Sequence, residues 1–259
     1  MSEYEELVRY LRDSADDSKS PSTQRAKLLN HISSAEERLV NDTTNLFKGI
    51  DLSGKRVLDV GAGNGFQSLY AAYYGADEVV AIDPLGSGSE SVNGTLLGQI
   101  AVDYPQVSHV GTTLQDYNNK GKKFDCIILK NSINHLDEQA CIQLQSSRSA
   151  WESYNKMFSK LKSLSSNGCD LVVRDASHTD FWLDMGVSNP FITSIDRDKH
   201  QPPEVWANML AKHGFTDPSI RWVSIFGQLG HLSNRIFNSK VMSYLTSNVF
   251  VLHMKTIQK

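Results

Sequence analysis

One acidic residue and three glycines stand at regular spacing as Asp59, Gly61, Gly63 and Gly65. Glycine tolerates positive φ and has no side chain, so a loop built on it turns sharply and lets a ligand approach the backbone closely. The residues at 56–60 are mainly β-branched or apolar, as in a strand buried on both faces of a parallel sheet, and a helical pattern follows the loop. This order of strand, glycine loop and helix predicts a ligand-binding loop.

The spacing within the loop indicates which kind of ligand it binds. Nicotinamide and flavin folds prefer the pattern Gly-x-Gly-x-x-Gly, with a pyrophosphate at the N-terminus of the helix. Here the glycines stand one residue closer together, and Asp59 precedes the first of them. A carboxylate at this position repels a pyrophosphate but suits an ammonium or sulfonium group. The spacing therefore disfavours a nicotinamide enzyme.

The motif resembles the first motif of the class I S-adenosylmethionine-dependent methyltransferases, and the resemblance extends over about residues 54–215. It implies a Rossmann-like fold with S-adenosylmethionine as the cofactor. Asp83, which closes the second predicted strand, would accept both ribose hydroxyls. Leu114 would pack on the adenine ring, and either Gln115 or Asp116 would hydrogen-bond its amino group. The cofactor contacts that the resemblance implies are Asp59, Gly61, Gly63, Gly65, Asp83, Leu114, Gln115, Asp116 and Asn131.

The fourth predicted strand leads into residues 130–137, where the family places the transferable methyl group beside the acceptor. His135 is the candidate general base of this segment, because an imidazole takes up a proton near neutral pH. The alternative is a residue that starts a helix and has no chemical role. Candidate substrate contacts follow the fifth strand at His178, Trp182 and His200. The carboxylate spacing does not match that of magnesium-dependent catechol-type enzymes, so no metal is predicted.

Composition argues against several other classes of function. The chain has 259 residues, 40% of them hydrophobic and 21% charged, and a formal net charge of −3, which leaves no basic footprint for nucleic acid. The Asn/Asp-Pro-Pro-aromatic motif of base methyltransferases does not follow the fourth strand. Three scattered cysteines disfavour zinc, iron–sulfur and radical chemistry. No apolar run reaches the roughly 18 residues that span a bilayer, and the acidic start predicts a cytoplasmic location.

Strands and helices alternate along the chain, which predicts an α/β fold with a doubly wound sheet. The resemblance implies seven strands, mostly parallel, with an antiparallel last strand. Residues 1–50 are expected to form an N-terminal helical cap, and residues 51–259 the Rossmann-like domain, with substrate-cap insertions at about 176–201 and 226–247. A long helix is expected over 139–164. The predicted strands are 56–60, 78–82, 107–112, 124–129, 170–174, 221–225 and 249–254.

Together these features predict an enzyme that moves a methyl group from S-adenosylmethionine to a small molecule or saccharide, at oxygen and by in-line displacement. Alignment and exclusion of water supply much of the rate in such a reaction. Two alternatives stay open. A methyltransferase for RNA or protein would carry a basic patch in the cap, and a non-catalytic S-adenosylmethionine-binding protein would carry a damaged cofactor motif. None of these patterns bears on the oligomeric state.

Overall fold

A seven-stranded sheet organises the protein in a computed structural model that describes residues 43–63, 65–84, 104–192, 195–224 and 238–257. Its strands are β1 Arg56–Val60, β2 Glu78–Ile82, β3 Val107–Val110, β4 Phe124–Lys130, β5 Ser165–Ala176, β6 Phe215–Val223 and β7 Val249–Thr256. The spatial order is β3-β2-β1-β4-β5-β7-β6. Strands β1 to β5 pair in parallel, and β7 runs antiparallel to β5 and β6. The expected mostly parallel α/β sheet with an antiparallel last strand is confirmed.

Helices cover both faces of this sheet, and the sheet separates the hydrophobic core into two clusters. Val57 and Leu58 lie next to each other on β1 but belong to different clusters, because successive side chains of a strand point to opposite faces. In the described part of the chain the α-helices are α1 Phe66–Tyr73, α2 Glu138–Ile142, α3 Arg148–Leu164, α4 Phe181–Asp184, α5 Pro203–Ala211 and α6 Lys240–Leu245. Single 3-10 turns lie at Asn134–Leu136 and Arg197–Lys199.

Two helices, α2 and α3, replace the single long helix expected over 139–164. The backbone leaves α2 after Ile142, and Ser147 starts α3 as its N-cap, with its hydroxyl accepting from the amide of Ala150 at 3.4 Å. Leu144 lies between the two helices and is buried. The apolar pattern therefore continues through the break, although the backbone turns there.

Strands β5 and β6 begin earlier than their sequence patterns indicate. β5 starts at Ser165, directly after α3, and contains Gly168 with a φ of 71°. β6 includes Asp217 at a φ of 54°, and its register with β7 shifts between Thr216 and Ser219. Glycine, aspartate and proline at these positions mark irregularities inside strands rather than their ends.

The structure describes the predicted N-terminal cap only at its last residues, 43–50. Leu46 and Phe47 are buried, and the ring of Phe47 stacks on Tyr70 of α1 at a centroid distance of 4.9 Å. The rest of the cap and most of the second insertion lie outside the described residues, so the division into cap and domain stays a prediction. None of the described helices is long and apolar enough to cross a membrane.

Candidate active site

The glycine loop joins β1 to α1 and folds against the end of β2. Its φ angles are 70° at Gly61, 52° at Gly63 and 77° at Gly65, in the left-handed region that favours glycine. The amide of Gly61 donates to the carbonyl of Ile82 at 2.8 Å, which fixes the loop to the neighbouring strand. The sequence-based prediction of a sharp glycine turn between this strand and this helix is confirmed.

Ser132, just after β4, packs directly on this loop. A β-carbon placed on Gly61 would lie 2.5 Å from the β-carbon of Ser132, which is closer than such atoms approach in real structures. Ser132 is buried, and its hydroxyl donates to the carbonyl of Val60 at 2.6 Å. A β-carbon on Gly63 would meet nothing within 4 Å. The loop is therefore closed on the β4 side and has room for a ligand at Gly63.

Asp83 follows β2 and holds the loop from the other side. Its Oδ2 accepts from the amide of Gly63 at 2.9 Å, and its side chain is half-buried. This places a carboxylate at the C-terminal edge of the sheet, where open α/β sheets bind their ligands. The structure thus brings Asp83 and the glycine loop together. Contact between Asp83 and a ribose stays a prediction.

Asp59 is almost fully buried beneath the loop, with 2% of its surface exposed. Its Oδ2 accepts from the hydroxyl of Ser68 at 2.7 Å, which ties β1 to α1. Burial raises the pKa of Asp59 to about 6, although the hydrogen bond from Ser68 and the charge of Lys130 oppose the shift. A carboxylate in this setting carries a negative charge at neutral pH that has lost most of its hydration. Such a charge attracts a nearby cationic ligand strongly.

The three residues predicted to meet adenine lie in different environments. Leu114 is buried in the same core cluster as Ile82, and Gln115 donates from Nε2 to the carbonyl of Leu136 at 2.8 Å. Asp116 accepts from the hydroxyl of Thr113 at 2.9 Å and so closes its own turn. Gln115 therefore links this loop to the segment after β4, while Asp116 acts as a turn cap. Adenine contact by any of these residues stays a prediction.

Asn131 adopts a left-handed backbone conformation immediately after β4, with a φ of 53°. Its amide donates to the carbonyl of Arg174 at 2.7 Å, and its Oδ1 accepts from Nη1 of the same arginine at 2.8 Å. Asparagine accepts this conformation more readily than most residues. These bonds join the ends of β4 and β5 and direct the chain toward Ser132 and the glycine loop.

His135 lies at the surface of the 3-10 turn after β4. Its side chain is 53% exposed, and its Nδ1 lies 2.5 Å from Oε1 of Glu138. The hydrogen bond to His135 lowers the pKa of Glu138 below its ordinary value, and Lys199 adds a second ion pair at 3.3 Å. The imidazole thus lies in a solvent-exposed chain of polar contacts with Glu138 and Lys199. Its role as a general base stays a prediction.

A buried ion pair supports the segment after β5. Nη2 of Arg197 lies 2.9 Å from Oδ2 of Asp180, and both side chains are at most 8% exposed. His178 places its Nδ1 3.1 Å from the carbonyl of Arg197, and Trp182 donates from Nε1 to the carbonyl of Leu245 at 2.9 Å. His178 and Trp182 therefore lie in one packed unit beyond the end of β5. Contact of either with a substrate stays a prediction.

One pair of side chains in this region was not predicted from the sequence. Nδ1 of His200 lies 3.0 Å from Oδ1 of Asp175, and the side chains are 13% and 1% exposed. The sequence placed His200 among the substrate contacts and Asp175 directly after the predicted strand 170–174, but no local pattern links two residues that are this far apart in the chain. The only available signal was their common position near the C-terminal end of β5.

The cysteines and acidic residues do not form a metal centre in the described part of the chain. No group of three or more His, Cys, Asp and Glu is placed there to hold a metal ion. Cys126, Cys141 and Cys169 are buried and unpaired. Burial raises the pKa of the Cys141 and Cys169 thiols to about 12, so both are neutral near pH 7.

Comparisons with known proteins complete this description. A family model described as "Methyltransferase domain" matches residues 32–219. The fold is similar to that of an S-adenosylmethionine-dependent methyltransferase of Archaeoglobus fulgidus, with 16% identity, a TM-score of 0.54 and coverage of 88% of this chain and 99% of that chain. It is similar to that of another from Aquifex aeolicus, with 15% identity, a TM-score of 0.54 and coverage of 86% of this chain and 98% of that chain. It is also similar to that of the cyclase SpnF, with 15% identity, a TM-score of 0.55 and coverage of 87% of this chain and 82% of that chain. No curated protein sequence matches this chain. At these identities the solved structures establish the fold alone.

Proposed function

This chain belongs to the methyltransferase-domain family, and from that membership we propose that it transfers a methyl group from S-adenosylmethionine to a hydroxyl of a small molecule or saccharide. Family and fold together identify it as an S-adenosylmethionine-dependent methyltransferase. The acceptor class and the acceptor oxygen are the proposed parts. One observation carries the proposal: an intact glycine loop, held by Asp83 and Ser132, lies at the C-terminal ends of β1, β2 and β4.

The residues at this edge fit the cofactor. Gly63 leaves open space where a side chain would stand, and Asp83 supplies a carboxylate suited to ribose hydroxyls. Asp59 supplies buried negative charge suited to the ammonium and sulfonium groups. We therefore assign the cofactor contacts to the glycine loop, Asp59 and Asp83, and retain Leu114, Gln115, Asp116 and Asn131 as proposed contacts. When bound, the cofactor supplies an activated methyl group.

Two observations and one chemical argument support a hydroxyl acceptor of modest size. Net charge is −3 over the whole chain, which disfavours a phosphate-rich partner. Beyond β5, His178 and His200 both place a ring nitrogen against a fixed oxygen atom, so both imidazoles are held in defined orientations. A neutral hydroxyl is also the acceptor that benefits most from an imidazole, because it must lose a proton as the methyl group arrives.

Calorimetry and a transfer assay test this proposal in sequence. Binding of S-adenosylmethionine, with no binding of NAD, supports the cofactor assignment, and the reverse result overturns it. The Asp83→Ala variant should bind the cofactor at least about tenfold more weakly, because carboxylate bonds to hydroxyls contribute about 1.5–3 kcal/mol each. Tritium-labelled S-adenosylmethionine is then offered with phenols and monosaccharides, and in parallel with RNA and unfolded protein. Label in phenols or sugars supports the acceptor class, whereas label in RNA or protein alone contradicts it.

A further inference from the structure

We propose that His200 is the proton acceptor for the hydroxyl that becomes methylated, and that Asp175 is the residue that positions it. The inference rests on the proposed function, because a base is needed only when the acceptor is a neutral hydroxyl. It gives His200 a chemical role in place of the simple substrate contact that its position in the sequence indicates.

The pair lies at the same edge of the sheet as the glycine loop. Asp175 is the penultimate residue of β5, and the residue before it, Arg174, pairs with Lys130 at the end of β4. β4 is also the neighbour of β1, which leads into the loop at Gly61. Two inter-strand spacings, about 10 Å, therefore separate the end of β1 from the end of β5. A small acceptor placed over the end of β4 spans this distance.

Asp175 is set up to hold the imidazole in one protonation state. Its side chain is 1% exposed, and Oδ1 accepts from the amide of Ala176 at 2.8 Å as well as facing His200. Oδ2 is buried and has no hydrogen-bond partner in the described part of the chain. A carboxylate oxygen that faces Nδ1 favours the tautomer of His200 with its proton on that nitrogen. The lone pair of the imidazole then resides on Nε2.

The backbone around His200 is fixed before any ligand arrives. The amide of His200 donates to the carbonyl of Arg197 at 3.1 Å, and the next residue, Gln201, donates from Nε2 to the carbonyl of Cys141 at 2.8 Å. In the described residues Nε2 of His200 makes no hydrogen bond, and the side chain keeps 13% of its surface exposed. The ring is therefore rigid on its Nδ1 side and open on its Nε2 side.

The other histidines at this edge lack one of these properties. His135 faces Glu138, whose side chain is 39% exposed, so water competes for the ion pair. His178 faces the carbonyl of Arg197, which orients the ring but stabilises an imidazolium less than a carboxylate does. His253 faces the buried Asp170 through Nε2, but Asp170 lies in the middle of β5, five residues before Asp175 and farther from the C-terminal edge of the sheet. Among these histidines, His200 combines a buried carboxylate with a position at the C-terminal edge.

The reaction that this geometry supports is an in-line displacement that needs one proton acceptor. The acceptor's hydroxyl oxygen displaces the sulfonium sulfur at the methyl carbon, so a C–O bond forms and the C–S electron pair stays on sulfur, which leaves as a neutral thioether. The hydroxyl proton moves to Nε2 of His200, and the charge of Asp175 stabilises the imidazolium that results. The proton leaves to solvent after the product departs. No oxidant or reductant takes part.

The first test needs neither cofactor nor acceptor. Two-bond nitrogen–proton NMR spectra of the whole chain at neutral pH should show His200 protonated on Nδ1 and bare on Nε2. The Asp175→Ala variant should shift the proton toward Nε2, because the bond that selects the tautomer is lost. A wild-type His200 that carries its proton on Nε2 would overturn the proposal, whatever the outcome of the cofactor experiments.

The second test uses the hydroxyl acceptor found in the transfer assay. His200→Ala should lower kcat about 10²–10⁴-fold with unchanged cofactor affinity, and added imidazole should restore part of the rate. Asp175→Asn should lower kcat about tenfold or more with little change in KM, since the ring stays in place but loses its counter-charge. A purely structural role for Asp175 would instead lower thermal stability without this split between kcat and KM.

His253→Ala is the matched control, because it removes a histidine from another buried aspartate, Asp170, which lies in the middle of β5. It should lower the melting temperature and leave kcat unchanged. Full turnover by His200→Ala would overturn the assignment of the base. Failure of the wild-type chain to bind S-adenosylmethionine would instead overturn the proposed function, and the NMR result would still decide the state of the His200 and Asp175 pair.

Discussion

Ser132 and Gly61 are in contact where β4 and β1 end, and the contact leaves no space for a side chain on residue 61. The β-carbons would lie 2.5 Å apart, and Ser132 is itself tied to the carbonyl of Val60. The glycine loop and the segment after β4 therefore share one junction. A change at either residue should disturb both segments.

Gly61→Ala should cost about 2–5 kcal/mol of unfolding free energy, because a left-handed alanine and an overpacked junction both add strain. Denaturant unfolding measures this cost, and calorimetry with S-adenosylhomocysteine should show weakened binding in the same variant. Gly49→Ala is the control. That residue has a φ of 80° and nothing within 4 Å of its β-carbon, so only the backbone term of about 1–2 kcal/mol applies. Equal costs for the two variants would contradict the packing argument.

Asp59→Asn should stabilise the free protein at pH 7 and weaken cofactor binding. Burial raises the folded-state pKa to about 6, so the folded chain binds this proton more tightly than the unfolded chain does. That contribution is complete below about pH 4 and is lost as the pH rises through 6, which leaves a penalty of up to about 3 kcal/mol at pH 7. Asparagine keeps a bond to Ser68 without the charge.

Thermal unfolding of this variant at pH 4 and pH 7, beside calorimetry, checks both halves of the prediction. The gain in melting temperature over wild type should be present at pH 7 and nearly absent at pH 4. The exposed Asp77→Asn serves as control and should show no such difference. An Asp59→Asn protein that is less stable than wild type at pH 7 would refute the account of burial.

Ionised Asp170 should stabilise the folded protein, whereas ionised Asp59 destabilises it. Burial raises its pKa, but hydrogen bonds from His253 and Lys55 outweigh burial and lower the pKa to about 2. Because the folded-state pKa lies below the unfolded value, the stabilisation is present above about pH 4 and is lost as the pH falls toward 2. Its size is about 2 kcal/mol.

Acid titrations of the unfolding free energy test this effect. Asp170→Asn should be less stable than wild type at pH 6 and should lose less stability between pH 4 and pH 2. The exposed Asp198→Asn, on a 3-10 turn, should follow the wild-type curve. Identical pH dependence in wild type and Asp170→Asn would show that the cluster around Asp170 does not link β5 to its neighbours energetically.

Arg197→Met should destabilise the protein by about 3–5 kcal/mol, because it leaves Asp180 buried without its counter-charge. Adding Asp180→Asn to this variant should recover part of the loss, since no buried charge is then left unpaired. Denaturant unfolding of the single and double variants measures the difference. Hydrogen exchange should localise the opening to residues 177–200, the segment that carries His178 and leads to His200. A double variant with a lower free energy of unfolding than Arg197→Met would contradict this explanation.

The strand, glycine loop and helix at 56–73 could be predicted residue by residue, because every signal there is local. The sequence did not predict where β5 and β6 begin, nor the break in the helix before α3. Gly168 and Asp217 sit inside strands because neighbouring strands hold the irregular backbone in place, and a buried Leu144 continues the apolar pattern across the break. Such compensation comes from contacts distant in sequence and leaves no mark in a local pattern.

By itself, the sequence determined the class of fold through apolar periodicity, and its glycine motif resembled that of a family whose membership implies the cofactor, because both signals act over a few residues. Only the tertiary structure decided which histidine near the C-terminal edge of the sheet stands against a buried carboxylate. His135, His178 and His200 have the same intrinsic chemistry, and their difference lies in what the fold places beside each ring: an exposed glutamate, a backbone carbonyl or Asp175. Desolvation and pairing set the protonation of an imidazole, and both arise only when separate elements pack together.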